Sequence, residues 1–369
     1  MKKIKLNVKT SNNKYSIIIG SNLISKLKRI FLNNSIYSEK YLVVLDGKVP
    51  KFFLKKIRNS LKNKKKFFFV FKSSEINKNQ KSINKILEVL LKNNFNRNDC
   101  LISIGGGITG DVAGFAASIF KRGIKFVNIP TTLLAQVDSS IGGKVGINEK
   151  KFGKNLIGSF YQPSLVISDT DFLKTLPKRE IICGYAEIFK HSLISNKKFF
   201  SFLDNNIEKI IALKSPTIEK SIYKSCLIKK KFVEKDEKEK GLRKVLNLGH
   251  TFAHAYESSF NYSKNLNHGE AVLLGIMSAI KFSFHVKLIK KKDFDLIKKH
   301  LQKPEIKIQL NTFFSIKDLP KIINFMKTDK KNTSKKINLV LLRSISKPIY
   351  NTNFDHIKIK AFLKRELYN

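Results

Sequence analysis

Leu101-Ile-Ser-Ile-Gly-Gly-Gly-Ile-Thr-Gly-Asp111 is the stretch that decides the fold. Its first four residues suit a buried strand, and the glycines then force a tight turn from which a helix can start. Gly105, Gly107 and Gly110, with Gly106 between them, match the spacing Gly-x-Gly-x-x-Gly. Glycines let backbone N–H groups approach a pyrophosphate, and the helix N-terminus favours its negative charge. A strand–helix turn that holds no ligand produces the same letters, so the context has to decide. An acidic ribose-binding residue is expected about 20 residues on, at the end of the next strand. That strand closes Asn128-Ile129-Pro130-Thr131-Thr132, with no carboxylate, and the turn follows several earlier strands instead of opening the domain. The reading is a dinucleotide site whose ribose is held elsewhere, with Asp46 at the end of an earlier strand as the candidate.

Outward from this turn, β-prone apolar runs occur at Ser16–Ile19, Tyr41–Leu45, Phe67–Phe71, Phe126–Ile129 and Leu165–Ser168. Helical stretches separate several of them, such as Ser82–Leu91 with Ile83, Ile86, Leu87, Leu90 and Leu91 on its apolar positions. Strand–helix alternation predicts a mostly parallel sheet covered on both faces. Met1 to Val8 alternates like an edge strand, and after about residue 170 long helical segments take over, with Ile337–Leu342 as a late strand. The expected fold is therefore an α/β N-terminal dinucleotide-binding domain over 1–170 and a mainly α-helical C-terminal metal- and substrate-binding domain over 171–369.

Among the 369 residues, 72 Lys and Arg against 28 Asp and Glu give a formal charge of +44. This invites a nucleic-acid reading. The excess is spread along the whole chain, and the over-used residues, Lys, Asn, Ile and Phe, share AT-rich codons. Base drift explains that pattern without a polyanionic partner, and no specific nucleic-acid binding is expected. Cys100, Cys183 and Cys226 are scattered, which argues against a disulfide framework or a thiolate zinc site. The longest apolar stretch, around Ala271 to Ile280, is far shorter than the roughly 18 residues a membrane helix needs, and the N-terminus lacks the apolar core of a signal peptide. A soluble, cytoplasmic protein is expected. The Lys/Glu run from Lys229 to Lys240 reads as a solvated helix end and loop.

Three of the seven histidines fall within 19 positions. His250 and His254 stand at i, i+4 on one helical face, and His268 begins the next helix in Asn267-His268-Gly269-Glu270. Upstream, Glu187 and Lys190 stand at i, i+3 in Gly184-Tyr-Ala-Glu187-Ile-Phe-Lys190. Three N/O ligands with an open fourth position is how catalytic zinc is held. The spacing differs from His-Glu-x-x-His, which disfavours a zinc protease. A histidine pair at i, i+4 is commonly structural, so spacing alone leaves the metal open.

Taken together, the motifs resemble one family. Gly105-Gly-Gly-Ile-Thr-Gly-Asp111, Lys121-Arg-Gly123 and Ile129-Pro-Thr-Thr-Leu-Leu-Ala-Gln-Val-Asp-Ser-Ser-Ile-Gly-Gly-Lys144 are similar to consecutive blocks of 3-dehydroquinate synthase. So are Gly153-Lys-Asn-Leu-Ile-Gly-Ser-Phe-Tyr-Gln-Pro163, Leu173-Lys-Thr-Leu-Pro177, Gly241-Leu-Arg-Lys-Val-Leu-Asn-Leu-Gly-His-Thr-Phe-Ala-His254 and His268-Gly-Glu-Ala271. The blocks run in order from about residue 70 to 335; the first 65 residues and the last 30 match only in pattern.

The resemblance implies a lyase of the shikimate pathway that binds NAD+ and a divalent metal, Zn2+ or Co2+. Its substrate would be 3-deoxy-D-arabino-heptulosonate 7-phosphate. Oxidation at C5 acidifies the neighbouring proton, phosphate leaves, the hydride returns, the ring opens and an aldol step closes the carbocycle, so NAD+ is regenerated. By resemblance, Glu187, His250 and His268 are metal ligands. The substrate's phosphate and carboxylate need fixed cations. Matching positions near the phosphate are Lys144, Lys154, Asn155, one or both of Lys330 and Lys331, and Arg122, the last reaching over from the second subunit of a homodimer. Lys229, Arg243 and Asn247 match positions at the carboxylate, and Asp138, Glu239, Lys190 and His254 match polar groups near the ring hydroxyls. On the cofactor side stand Asp46, Lys81, the four glycines, Asp111, Thr131, Thr132, Lys144, Lys154, Phe172, Leu173, Lys174 and Thr175.

Departures occur. Family members usually carry Gly-Glu-Gln-x-Lys-Ser before the helix that precedes the glycine turn; here the region reads Ser73-Ser-Glu-Ile-Asn-Lys-Asn-Gln-Lys-Ser82. The glutamate is either shifted to Glu75 or replaced by Lys78. One extra residue sits in the Asn148–Gly153 loop, and His191 reads as structural. Two other enzyme readings share the metal and NAD sites: another sugar-phosphate cyclase, which would differ in the carboxylate clamp, and a metal-dependent polyol dehydrogenase, which would release NADH.

Overall fold

The computed structural model describes residues 3–261, 265–328 and 336–368. The chain folds as two compact units, Met1–Pro177 with Ser215–Lys238, and Lys178–Lys214 with Glu239–Asn369.

In the first unit β1 (Ile4–Lys9) and β2 (Lys14–Gly20) form an antiparallel edge, followed by α1 (Leu27–Leu32). Then β3 (Lys40–Asp46), α2 (Lys51–Ser60), β4 (Lys65–Phe71), α3 (Gln80–Lys92), β5 (Cys100–Gly105), α4 (Gly107–Ile119) and β6 (Lys125–Pro130) alternate. A separate hairpin of β7 (Lys144–Glu149) and β8 (Gly153–Phe160) precedes β9 (Leu165–Asp169), which returns to the sheet. The seven strands lie in the order β1-β2-β9-β6-β5-β3-β4, parallel except for the first pair. Every expected strand of this domain is present.

Both faces of the sheet are covered, which is why its strands read as uninterrupted apolar runs. One face packs Ile18, Val43, Ile102 and Ile167 against Leu27, Ile30, Phe53 and Ile57. The other packs Leu42, Val44 and Leu101 against Ile83, Ile86, Leu90, Val112 and Ala116. The chain runs outward from β3 to β4, then crosses back so that β5 lies on the other side of β3. The strand order thus reverses between β3 and β5, the place where open α/β sheets bind ligands. Asp46 ends one of these strands and Gly105 the other.

The expected single boundary at 170/171 needs correction. The chain leaves after Pro177 for α5 (Lys178–Ser195) and α6 (Lys197–Ile211), then returns to the first unit with α7 (Thr217–Lys235). Polar ties hold α7 there. The Cys226 thiol meets the Gln136 carbonyl, Lys229 grips Asp138, and Glu234 accepts from the Lys9 N–H at 2.7 Å. Glu237 accepts from Ser11 and Gln162, so the Lys/Glu run is stitched to the fold and not merely solvated. An amphipathic helix shows that it has a partner but not which one, and the alternation therefore gave no hint of the return.

In the second unit α5 and α6 are joined by α8 (His250–Ser259), α9 (His268–His285), α10 (Lys291–Leu301), α11 (Leu319–Thr328), the hairpin β10 (Lys336–Ser344) with β11 (Lys347–Asp355), and α12 (His356–Tyr368). Among the described residues, no helix is long and apolar enough to cross a membrane. Two glycine contacts set the spacing of α5, α8 and α9. A Cβ on Gly269 would fall 2.1 Å from the Cys183 Cα, and one on Gly275 would fall 2.3 Å from the Gly249 carbonyl oxygen. Gly249 also needs its φ of +78°, a conformation that side chains with a Cβ disfavour.

A buried polar chain anchors the outer face of α5. His300 receives the Tyr185 hydroxyl at 2.8 Å on one ring nitrogen and faces Asp204 at 2.8 Å on the other, while Phe189 stacks on the ring at 4.6 Å. Burial pushes this imidazole down to about 4, against the pull of the Asp204 carboxylate. An unfolded chain binds that proton near pH 6.5. The stability given by neutral His300 is therefore complete above about pH 6.5 and lost as pH falls toward 4. Thermal unfolding should show a decline on the order of 1–3 kcal/mol across that window. His300→Phe should lower Tm overall and flatten the decline; an unchanged slope would show that another group titrates there.

Candidate cofactor and metal sites

In the first unit the glycine turn is built by contact. A Cβ on Gly105 would meet Thr109 at 2.6 Å and Asp46 at 2.9 Å, and one on Gly107 would meet the Ser139 hydroxyl at 2.9 Å. The Thr131 N–H donates to the Gly105 carbonyl at 2.9 Å, and Thr132 caps the next turn through its hydroxyl on the Ala135 N–H. The structure therefore brings Asp46, Gly105, Gly106, Gly107, Gly110, Thr131 and Thr132 to one end of the sheet. Asp111 follows in α4, where burial pushes its carboxyl up and the Lys78 ammonium beside it pulls it down.

The remaining positions of this unit sort by exposure and partner. Lys229 donates to the Asp138 carbonyl and to Oδ1, each at 2.6 Å, inside a π-turn at Ala135–Ser139. Lys154 pairs with Glu75 at 3.2 Å, and Asn155 adopts a positive φ of 54° beside it. Lys81 and Lys144 are exposed. Arg122 is exposed too, in a run of positive φ at Lys121 (47°), Arg122 (65°) and Gly123 (119°). The side chains of Phe172 and Leu173 are in the core, Phe172 stacked on Phe53 at 4.0 Å. Only their backbone remains for a ligand. Lys174 pairs with Asp171, and the Thr175 hydroxyl donates to the Phe172 carbonyl. Lys330 and Lys331 lie outside the described residues.

In the second unit Glu187 on α5, His250 at the start of α8 and His268 at the start of α9 bring one ligand atom each within 4.8 Å of one another. Both histidine Nε2 atoms face the same oxygen, Glu187 Oε1, at 3.5 and 3.8 Å. Their Nδ1 atoms lie 3.3 Å from acceptors, the Leu248 carbonyl and Glu257 Oε2 respectively. An acceptor at Nδ1 places the ring proton there and turns the Nε2 lone pair inward. Two lone pairs aimed at a carboxylate call for a cation between them. Glu187 is 1% exposed; Lys190 forms an ion pair with Oε2, and neither oxygen has a hydrogen bond of ordinary geometry. Burial pulls the His268 imidazole down, but Glu257 and Glu187 overcome this and hold it at about 9, so without a metal a proton takes the position that a cation would fill. Ligand atoms about 2 Å from a tetrahedral ion stand roughly 3.4 Å apart, close to the spacings found. These residues fit a divalent metal.

His254 lies next to His250, ring centroids 5.4 Å apart. Arg243 is buried in a 3-10 turn at Leu242–Asn247, and Asn247 donates to Glu239 Oε1 at 2.7 Å. His191 is fully buried on α5. Glu270 is a brace: it completes a capping box with Asn267 and takes Arg179 in two bonds of 2.6 Å. Sequence reasoning missed Glu257. Its signal was available, since His250, His254 and Glu257 stand at i, i+4, i+7 on one face of α8.

Models of the 3-dehydroquinate synthase N-terminal and C-terminal domains match residues 68–183 and 184–332. A 3-dehydroquinate synthase from Pelagibacter ubique (strain HTCC1062) is 60% identical over 364 residues, 99% of each chain. One from Campylobacter fetus subsp. fetus (strain 82-40) is 41% identical over 98% of this chain and 99% of its own. The chain belongs to the 3-dehydroquinate synthase family. Solved structures of more distant cyclases share the fold. A 2-deoxy-scyllo-inosose synthase complexed with carbaglucose-6-phosphate, NAD+ and Co2+ has a TM-score of 0.88 at 24% identity, covering 98% of this chain and 100% of that one. The 2-epi-5-epi-valiolone synthase ValA from Streptomyces hygroscopicus subsp. jinggangensis 5008, with NAD+ and Zn2+ bound, scores 0.83 at 21% identity, covering 97% and 98%. The 3-dehydroquinate synthase fold is thus present over the whole chain, as expected from its motifs.

Two substitutions test the metal cage. Glu257→Gln should weaken Zn2+ about 10- to 100-fold in a competitive chelator titration, as for other outer partners of metal-bound histidines; unchanged affinity would remove Glu257 from the metal cage. Gly269→Ala should lower stability by roughly 1–3 kcal/mol through overpacking, and weaken metal binding with it. Gly47→Ala, whose Cβ would meet neighbours no closer than 3.5 Å, serves as the control and should change neither.

Proposed function

We propose that the chain converts 3-deoxy-D-arabino-heptulosonate 7-phosphate into 3-dehydroquinate and phosphate, a carbon–oxygen lyase step of the shikimate pathway toward aromatic amino acids. It does so with NAD+ as a regenerated cofactor and a divalent cation, Zn2+ or Co2+, held by Glu187, His250 and His268. The observation that carries this reading is the buried Glu187 carboxylate, short of hydrogen bonds and faced by two imidazole lone pairs, in a chain whose full-length relatives bear this name.

NAD+ supplies a reversible hydride acceptor, and the cation supplies acidification of a substrate hydroxyl. The chain's own residues bind and orient. Asp46 and the glycine turn with Gly105, Gly106, Gly107, Gly110, Asp111, Thr131 and Thr132 receive the dinucleotide. Lys154, Asn155, Lys144 and Arg122 receive the phosphate. Arg243, Asn247 and Lys229 receive the carboxylate, and Asp138, Glu239, Lys190 and His254 address the ring hydroxyls. Arg243 is a buried guanidinium, which suits a planar carboxylate better than water. The synthases that share the fold at 24% and 21% identity are named for other products. Retention of Arg243, Asn247 and Lys229 favours a carboxylated substrate. A homodimer that lends Arg122 across its interface and a cytoplasmic location complete the proposal.

The test is phosphate release from the heptulosonate 7-phosphate with catalytic amounts of NAD+. Release should stop with chelator, resume with Zn2+ or Co2+, and leave no net NADH. Net NADH would mark a dehydrogenase instead. Lys154→Ala and Arg243→Ala should each reduce turnover on the order of 100-fold or more, as for lost substrate clamps; wild-type rates in both would refute the clamp assignment.

A further inference from the structure

Lys78 stands in the loop between β4 and α3 and is only 4% exposed. Its ammonium has two partners on different elements: Asp111 Oδ2 on α4 at 2.5 Å and Asn155 Oδ1 on β8 at 2.5 Å. The same loop is sewn to the β7–β8 hairpin by further bonds. The Lys78 carbonyl accepts from the Asn148 N–H at 2.8 Å, Glu75 accepts from the Asn148 side chain at 2.8 Å, and Glu75 pairs with Lys154 at 3.2 Å. Asn148 in turn accepts from the Asn155 N–H at 3.0 Å.

This arrangement has a physical consequence. A two-stranded hairpin is marginally stable by itself, and β8 is mostly exposed. Asn155 also keeps a positive φ of 54°, which its surroundings must hold in place. A buried ammonium is costly unless paired, so Lys78 cannot release one partner without weakening its hold on the other. We propose that Lys78 is a positioning residue that couples the dinucleotide turn to the hairpin carrying Lys154 and Asn155, so that each ligand's binding tightens the other's. The inference rests on the reading of Asp111 as a cofactor-side residue and of Lys154 and Asn155 as phosphate-side residues.

Calorimetry on the full chain tests it, with NAD+ and inorganic phosphate as the probes. In the wild type each should tighten the other by the same factor, about 5-fold or more, because coupling free energy is reciprocal. Lys78→Met keeps the length of the stem and removes the charge. It should bring the factor to about one and weaken phosphate binding to NAD+-saturated protein on the order of tenfold. Should Lys78→Met fold poorly with Asp111 left unpaired, Lys78→Met with Asp111→Asn removes the stranded charge. This pair should recover wild-type Tm yet still show no coupling. A wild-type factor of one, a factor unchanged in Lys78→Met, or phosphate affinity restored in the double variant would overturn the proposal. These are binding measurements on wild type and variants. Failure of the wild type to release phosphate from the heptulosonate would instead sink the assigned reaction.

Discussion

Three helices in the second unit approach more closely than side chains with a Cβ allow, and the ligand cluster depends on that approach. Gly269 lies against the backbone of Cys183, and Gly275 against that of Gly249. The first contact seats the start of α9 on α5 one turn before Glu187. The second seats the start of α8 on α9. His268 directly precedes Gly269 and His250 directly follows Gly249, so the residues that permit the contacts neighbour the residues whose convergence they cause. The capping box at Asn267 and the Arg179–Glu270 brace then fix where α9 begins. A helix that started one residue later would rotate His268 by about 100° away from its partners.

The first unit solves a different problem, how to keep charge inside an apolar sheet domain. Asp46 sits at the reversal of strand order, and Lys229 with Asp138 joins α7 to the turn after β6. Lys78 with Asp111 and Lys229 with Asp138 are held as ion pairs, while Asp46 and Asp169 accept backbone N–H groups. Because the pairs link separate elements, they also fix positions that apolar packing would leave free to slide.

Much of this was legible in the sequence, and the reasons for what was not are physical. The parallel strands show because both their faces are apolar, and the glycine turn shows because only glycine tolerates its contacts with Thr109 and Ser139. The β7–β8 hairpin does not show. β8 is mostly exposed, and the two strands are interrupted by Gly146 and Gly158, where a Cβ would fall 2.5 and 2.2 Å from the opposite strand's backbone, so neither alternation nor an apolar run appears. Helix α7 reads correctly as a helix but not as a part of the first unit, because its destination depends on the tertiary partners Gln136 and Asp138. The triad of Glu187, His250 and His268 came from motif resemblance, spacing having left it open. Glu257, also missed, needed only the extension of the α8 face by one more turn.

The lysine load sharpens the same point. With 72 Lys and Arg, letter counts cannot separate a functional cation from a solvated one. Burial singles out four of them: Lys78, Lys190, Lys229 and Arg243 are each at most 6% exposed. Lys190 shows what such a cation does. Its ammonium forms an ion pair with Oε2 of Glu187, while Oε1 faces the two imidazoles. With the ammonium on one oxygen, the second oxygen is left facing whatever cation the histidines share. The Lys190 charge is thus placed on the far oxygen, where it does not compete for the lone pairs that face the histidines.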